Sequence, residues 1–233
     1  MEKTSHLLHG KYYHIYNKGI NGINLFYKKE NYLHFMQLYD DYISGVAETY
    51  AWCLLPNHFH LLVRIKTEEE IGYYLVDETL PGSKNAGRFG SKNADRFKTT
   101  GNLPAFAKPG SVLSSRKPDP THHFSHMFNA FAKAINEQHS RTGSLFQKSF
   151  KRIMVDNTDY FKNLILYIHN NPVKHGFVAS CSDYPWSSYG SVISIKSTKI
   201  ERTKILGWFN DKAGFINAHN RKDIEIDEIF MME

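Results

Sequence analysis

Cysteine is scarce in this chain of 233 residues, and its two cysteines, Cys53 and Cys181, lie far apart without Cys-x-x-Cys spacing. The sequence therefore argues against a disulfide framework and against a thiolate zinc site. Residues 1–11 lack the apolar core of a signal peptide, and no apolar run approaches the roughly 20 residues that span a bilayer. A glycine-rich nucleotide-binding loop is also missing. We expect a cytoplasmic protein without a membrane partner.

Acidic residues are outnumbered, since the net charge is +6 and the pI is near 9.1. This balance fits a polyanionic partner. Most of the excess lies in residues 82–118, where eight Lys or Arg accompany a single acid, Asp95. Within this stretch residues 90–97 nearly repeat residues 82–89, with two cations and one phenylalanine in each unit. We expect Arg88 and Arg96 to contact nucleic acid, and a merely solvated linker is the alternative.

What the chain does contain is a globular composition, with 41% hydrophobic and 14% aromatic residues. Hydrophobic periodicity and turn residues predict an order of strand, helix, strand, strand, helix and strand. These elements are expected at residues 11–20, 25–43, 49–55, 59–66, 122–138 and 150–155. The order predicts an α+β, ferredoxin-like fold, in which two helices cover one face of an antiparallel sheet and the other face is open for a ligand.

A further helix is predicted at about residues 158–170, with Pro172 ending it. We place residues 1–176 in one domain with a basic, flexible insertion at about 78–120, and residues 177–233 in an extension that packs on it. The helix carries two stripes, of which the first is the better candidate for the core. The stripes are Phe161, Ile165 and Ile168, and Tyr160, Leu164, Tyr167 and Asn171.

The pair His58 and His60 suggests a metal site, because side chains two apart on a strand share a face while Phe59 points into the core. Two imidazoles supply only two of the ligands that a catalytic metal needs. Taken alone, the pair is more simply a coincidence on one strand face. The question is therefore where a third ligand lies.

Asn171 can supply that third ligand, and Tyr167 lies four residues before it on the same helix face. Three neutral ligands would leave a divalent cation its full charge and open positions for substrate oxygens. A tyrosine oxygen beside such a cation can attack a phosphodiester and form a phosphotyrosine, which conserves the energy of the phosphoester.

Five ordered blocks carry a family resemblance that spans about residues 11–189. They are Tyr-His-Ile-Tyr-Asn-Lys-Gly at 13–19, Leu-Pro-Asn-His-Phe-His-Leu-Leu-Val at 55–63, Gly-Ser-Leu-Phe-Gln at 143–147 with Phe-Lys-Arg at 150–152, Tyr-Ile-His-Asn-Asn-Pro-Val at 167–173, and Tyr-Pro-Trp-Ser-Ser-Tyr at 184–189. Together they resemble the REP-associated tyrosine transposases, which are single-tyrosine HUH endonucleases. The basic insertion is longer than the connection usual in that family.

The resemblance implies a divalent-metal nuclease and ligase that acts on single-stranded DNA at hairpins of palindromic repeats, at the nucleoid of a prokaryotic cell. Carried over, His58 and His60 are metal ligands, Tyr167 is the nucleophile and Asn171 is the third ligand. The resemblance leaves open whether the protein is mobile or domesticated, and whether it is a monomer or a homodimer. Imidazoles favour zinc or manganese and phosphoryl transfer often uses magnesium, so the cofactor is expected to be Mg or Mn.

Several cations outside the insertion are candidates for contacts with the DNA backbone. They are Lys18, Arg64, Arg141, Lys148, Lys151, Arg152 and Lys174. Surface lysines and arginines with no special role are the alternative. The pair His122 and His126, one helical turn apart, lacks an evident third ligand, and we interpret it as solvated.

Two other functions remain open on the sequence. An open sheet rich in aromatic residues suits a non-catalytic binder of single-stranded nucleic acid. A zinc hydrolase would use the histidine pair with water as the nucleophile, but it needs an acidic general base near the pair, and Glu68–Glu70 lie past the strand end.

Overall fold

The computed structural model describes residues 6–72, 74–77 and 113–221. The strands are β1 Tyr12–Lys18, β2 Ala47–Leu55, β3 His58–Ile65, β4 Tyr74–Asp77, β5 Leu113–Arg116 and β6 Lys151–Val155. The helices are α1 Lys29–Ile43, α2 Glu68–Ile71, α3 Pro120–Gln138, α4 Thr158–Lys174, α5 Tyr189–Ile193, α6 Arg202–Trp208 and α7 Lys212–His219. Two short 3-10 helices cover Ile20–Gly22 and Cys181–Asp183. Among the described helices, none is both long and apolar enough to cross a bilayer.

Four strands form one sheet in the order β2-β3-β1-β6, and all neighbours are antiparallel. Pro56 and Asn57 form the turn between β2 and β3, and Leu55 pairs directly with His58 across it. The strands predicted at 49–55 and 59–66 place the turn at the same point. The helix α1 connects β1 to β2, and α3 lies between β3 and β6 along the chain. The predicted combination of an antiparallel sheet with several helices is therefore confirmed.

A separate ribbon pairs β4 with β5 in antiparallel fashion, and β5 falls within residues 78–120, which the sequence assigns to the flexible insertion. The sequence did not predict this ribbon. The near-repeat, together with Arg88 and Arg96, lies outside the described residues.

One face of the sheet packs against α1 and α3. Ile15 and Phe59 point to this side, and their side chains join Phe35, Phe128 and Phe131 in one buried cluster. The ring centroids of Phe35 and Phe59 are 5.2 Å apart. This is the layer that the sequence predicts, with two helices covering one face of an antiparallel sheet.

The second face is not open, contrary to the expectation from the sequence. Cys53, Leu55 and Leu62 point to this side and are buried with α4 and the C-terminal helices in a second cluster. An apolar sheet face needs a second layer to exclude water, and α4 with α5, α6 and α7 supplies it over β2 and β3. On the side toward β1 and β6 a cavity remains.

The predicted end of α4 before Pro172 is wrong, since the helix continues through that proline to Lys174. Asn157 caps its start, accepting hydrogen bonds from the backbone N–H groups of Asp159 and Tyr160 at 2.8 and 3.3 Å. Both stripes of the helix are buried and Tyr160 is half-buried, so the distinction between a core stripe and a second stripe also fails. Tertiary packing on both sides overrides the local preference of the residue before proline.

The outer edge of β2 is covered by the segment that follows α4. Leu54 N–H donates to Trp186 C=O, and Ser188 N–H donates to Trp52 C=O, each at 2.9 Å. Trp186 also stacks on Tyr32 with ring centroids 4.4 Å apart. The block at 184–189 therefore protects a sheet edge that would otherwise expose unpaired backbone groups.

Candidate functional site

The histidine pair lies on the face of β3 that turns toward α4. His60 is 1% exposed and His58 is 9% exposed, and their ring centroids are 5.2 Å apart with perpendicular planes. Phe59 is fully buried on the opposite face, as predicted. The strand alternation therefore delivers both imidazoles to one site.

Asn171 comes to this pair from α4, 111 to 113 residues later in the chain. Its Oδ1 lies 3.2 Å from His58 Nε2, and its Nδ2 lies 3.4 Å from His60 Nε2. One turn earlier, the Tyr167 ring stands edge-on to the His60 ring with centroids 5.4 Å apart. The structure thus brings together the four residues that the sequence singled out.

Each histidine has a second contact behind the site. His60 Nδ1 lies 2.9 Å from His14 Nε2, and His58 Nδ1 lies 2.7 Å from Asn57 Oδ1. Such outer contacts fix which ring nitrogen carries the hydrogen and how the ring is oriented. His14 was missed from the sequence; the available signal was its place two residues before Tyr16 on a strand that pairs with β3.

Burial keeps the His60 and His14 rings neutral. Burial lowers the pKa of His60 to about 3, with contributions from His175 and Lys174. Burial also lowers the pKa of His14 well below its ordinary value, helped by His60. A neutral imidazole retains the lone pair that a metal needs.

The donor chemistry fits a divalent cation. His58 has an amide oxygen beside each ring nitrogen, yet a neutral imidazole donates only one hydrogen. If Nδ1 donates to Asn57, then Nε2 and Asn171 Oδ1 both present lone pairs, and these two residues could help to hold a divalent cation. Within the described residues no cluster of three His, Cys, Asp or Glu could hold a metal, so a metal at this site would need the amide as its third donor.

A cavity of about 330 Å³ opens next to the histidine pair. Its lining includes His58, His60 and Tyr16, together with the three lysines Lys18, Lys148 and Lys151. Tyr167 is not part of the lining and is only 1% exposed. In this conformation the tyrosine therefore lies behind the histidine rings rather than at the cavity surface.

The remaining predicted cations divide between two locations. The Nζ atom of Lys174 lies 5.3 Å from the centre of the Tyr167 ring, near the site. Arg64 is at the far end of β3, in ion pairs with Glu48 at 2.8 Å and Glu70 at 2.6 Å. Its guanidinium is therefore occupied by structural carboxylates away from the cavity.

Two arginines also lie outside the cavity lining. Arg152 follows Lys151 on β6, so it points to the other side of the sheet, where its guanidinium lies 4.2 Å from the centre of the Phe150 ring. Arg141 binds Asn136 through a 3.3 Å hydrogen bond in the turn after α3. The structure does not bring either arginine to the histidine pair.

Two residues beyond Asn171 were also missed. His175 lies four positions later on the same helix face, and its ring centroid is 5.1 Å from that of His58. Partial burial lowers its pKa, with Lys174 adding to the effect. Phe177 lines the cavity as well. The four-residue spacing that linked Tyr167 to Asn171 could have been extended to His175.

Other histidines and tyrosines do not join the site. His169 points away from Tyr167 and binds His219 at 2.9 Å and Ser188 at 2.7 Å, as its position around the helix predicts. Tyr160 packs against the second cluster. The His122 and His126 rings are 6.3 Å apart near the start of α3.

No family model matches the chain, and comparison by sequence finds a similar protein. A protein of Haemophilus influenzae that carries the provisional name of REP-associated tyrosine transposase is 23% identical over 147 residues. The chain is related to the REP-associated tyrosine transposases. The match covers 61% of this chain and 58% of that transposase, so the chain spans little more than half the length of its relative.

A solved structure described as a REP-associated tyrosine transposase bound to a REP hairpin is also similar. It shares 16% sequence identity, and the match covers 83% of this chain and 84% of that transposase with a TM-score of 0.49.

Proposed function

We propose that this protein is a divalent-metal-dependent endonuclease and strand transferase for single-stranded DNA, with Tyr167 as the nucleophile. The observation that carries the proposal is the meeting of His58 Nε2, His60 Nε2 and the Asn171 amide, within one helical turn of that tyrosine. The sequence relationship to a named transposase supports the same reaction class. The order and pairing of the four strands support assigning the fold to the ferredoxin-like class.

The metal would be Mg²⁺ or Mn²⁺, held by His58, His60 and Asn171. When bound, such an ion withdraws charge from a phosphodiester through its non-bridging oxygens. The protein's own part is to keep the His60 imidazole neutral by burial, and to fix the orientation of both imidazoles through His14 and Asn57.

Tyr167 then attacks phosphorus. A bond forms between its phenolic oxygen and phosphorus, and the bond from phosphorus to the 3′ oxygen breaks. The tyrosine loses its proton, the departing oxygen gains one as a 3′ hydroxyl, and the product is a 5′-phosphotyrosine. Attack by another 3′ hydroxyl reverses the exchange and rejoins DNA, so no nucleotide cofactor is needed.

The burial of Tyr167 adds a requirement. At 1% exposure its oxygen cannot meet a phosphate in the cavity, so the reaction needs a local rearrangement around α4 when DNA binds. The substrate that fits the family relationship is a hairpin formed by a palindromic repeat, encountered at the nucleoid.

Non-catalytic binding of single-stranded nucleic acid is the second candidate, and the buried tyrosine is the observation that favours it. A zinc hydrolase has less support, because the described lining of the cavity offers no carboxylate as a general base. One assay separates these functions.

The assay incubates the full chain and labelled hairpin-flanked DNA with Mn²⁺ or Mg²⁺, and follows covalent protein–DNA adducts on denaturing gels. We expect an adduct with the native chain and none with Tyr167→Phe, whereas Tyr160→Phe, a matched tyrosine on the same helix, should still form it. Binding without any adduct would favour the non-catalytic function. Cleavage without an adduct would favour water as the nucleophile, and an adduct in Tyr167→Phe would place the nucleophile elsewhere.

A further inference from the structure

Phe177 is a large apolar side chain presented at the cavity beside the histidine pair. It is 48% exposed, and it lies three residues after Lys174, the last residue of the helix that carries Tyr167 and Asn171. An exposed phenylalanine alone is ordinary on a protein surface. Phe177 is informative because its backbone is hydrogen-bonded to the end of α4 and because lysines share its cavity.

The backbone of Phe177 is held in place by the end of α4. Its N–H donates to Pro172 C=O at 2.9 Å, and Gly176 N–H donates to Val173 C=O at 3.0 Å. With Gly176 at φ +71°, this is a Schellman motif. In that motif the side chain at the position of Phe177 frequently makes an apolar contact with the last turn of the helix. Here almost half of the side chain is exposed to solvent.

The cavity has different chemistry on its two sides. On the α4 side lie Phe177 and His175, with ring centroids 6.4 Å apart. The His175 ring in turn contacts the His58 ring. On the side toward β6, Lys18 pairs with His58 across the strands, while Lys151 lies across from Tyr16, which pairs with His60. The histidine pair therefore separates an aromatic side from a cationic side.

We propose that Phe177 is the stacking platform for a base of single-stranded DNA, namely the nucleotide next to the phosphate bound at His58 and His60. This inference rests on the proposed function. A ring supplies a surface on which any base can stack, and lysines neutralise phosphates, which is the combination that single-stranded nucleic acid needs. The strand then crosses the sheet from the end of α4 toward β6.

The geometry also explains why the platform follows α4. Tyr167 and Asn171 lie on α4, and the backbone of Phe177 is hydrogen-bonded to the end of that helix, so a base stacked on Phe177 would be held at a fixed position relative to Asn171. Because the contact uses the face of the base, it tolerates any base identity. Sequence selection would come from other parts of the protein.

The test compares two labelled oligonucleotides of about 12 nucleotides, oligothymidylate and an abasic strand with the same number of phosphates. Binding is measured in the full chain with the Tyr167→Phe substitution, which keeps chemistry from interfering. We expect Phe177→Ala to weaken oligothymidylate binding about tenfold and to leave abasic binding nearly unchanged, because one stacked base is lost. Phe177→Trp should retain the preference for bases, and Phe177→Leu should lose it.

Leu33→Ala is the matched control, since Leu33 is 52% exposed on α1, the layer on the opposite side of the sheet. The proposal is overturned if Phe177→Ala keeps the ratio of the two affinities, or if Phe177→Leu binds bases as well as the native ring. The adduct assay is independent of this ratio. If the native chain forms an adduct but Phe177→Ala leaves the ratio of the two affinities unchanged, the stacking platform alone is rejected. If Phe177→Ala reduces that ratio but the native chain forms no adduct, catalysis alone is rejected.

Discussion

At the scale of single residues, the candidate site is a set of neutral polar groups that orient one another. His14 supports His60, Asn57 supports His58, and both Nε2 atoms meet Asn171. A buried polar group without a hydrogen-bond partner lowers the stability of the fold, so these side chains stabilise one another by supplying each other's partners. The side chains proposed as metal ligands therefore have little freedom to reorient.

Asn171→Ala should therefore have two effects. Without metal, the loss of a buried amide should lower the free energy of unfolding by about 1–3 kcal/mol, because both histidines lose a partner. With Mn²⁺, the rise in melting temperature seen for the native chain should shrink, since binding to the folded state is weaker. Thermal unfolding with and without MnCl2 measures both.

Asn170→Ala is the control for that change. Its side chain donates to Leu166 C=O at 3.0 Å within the helix, beside the site but outside it. The Mn²⁺ effect should be the same as in the native chain. A metal-induced shift that survives Asn171→Ala would remove the amide from the ligand set.

The cations of the chain also differ residue by residue. Lys148→Gln and Lys151→Gln should each weaken DNA binding and reduce the slope of log affinity against log salt by about 1, because each lysine lines the cavity. Arg64→Gln should leave affinity and slope unchanged, since Arg64 is held by Glu48 and Glu70. Titrations at several salt concentrations test this, and a reduced slope for Arg64→Gln would contradict it.

At the scale of elements, α4 shows how tertiary contacts extend a helix. Proline lacks the N–H that would bond one turn back, and it disfavours a helical conformation at the preceding residue. Asn171 nevertheless stays helical at 0% exposure between His58 and His60. The helix then ends where Gly176 can adopt a positive φ.

Gly176→Ala should lower the free energy of unfolding by about 1 kcal/mol through backbone strain. Nothing lies within 4 Å of the position a Cβ would take, so steric contact adds no cost. Gly190→Ala, within α5 and equally uncrowded, should be neutral or stabilising because alanine favours a helix. Urea unfolding compares the two, and equal effects would argue against the left-handed cap.

At the scale of the whole molecule, the sheet separates two cores, and the C-terminal helices complete the second one. Ile205 and Phe215 are fully buried against the layer that contains α4. A chain of hydrogen bonds runs from Phe215 C=O through His219 and His169 to Ser188. The extension therefore packs against the helix that bears the proposed nucleophile.

This arrangement predicts acid sensitivity. Burial lowers the pKa of His219 to about 4. The unfolded chain therefore binds this proton first as pH falls below about 6.5, and stability present above that value is lost progressively toward pH 4. For His219 alone the loss amounts to about 3 kcal/mol. Urea unfolding from pH 7 to pH 4 should show a shallower loss in His219→Gln, and identical slopes would contradict it.

Much of the fold follows from local patterns. The strands predicted at 49–55 and 59–66 lie at Ala47–Leu55 and His58–Ile65, and the helix predicted at 122–138 is Pro120–Gln138. Alternation and helical spacing are near-neighbour properties, so the sequence expresses them directly. The placement of His58 with His60, and of Tyr167 with Asn171, follows from the same spacing.

The tertiary structure alone decided the contacts between residues that are far apart in the chain. The pairing of His14 with His60, the occupation of Arg64 by carboxylates, the covering of the second sheet face and the burial of Tyr167 all depend on packing. Side-chain periodicity determines which way a residue points but not what it meets there. The sequence by itself therefore determined the candidate ligands and the candidate nucleophile. The structure decided that the candidate ligands meet and that the tyrosine is buried behind them.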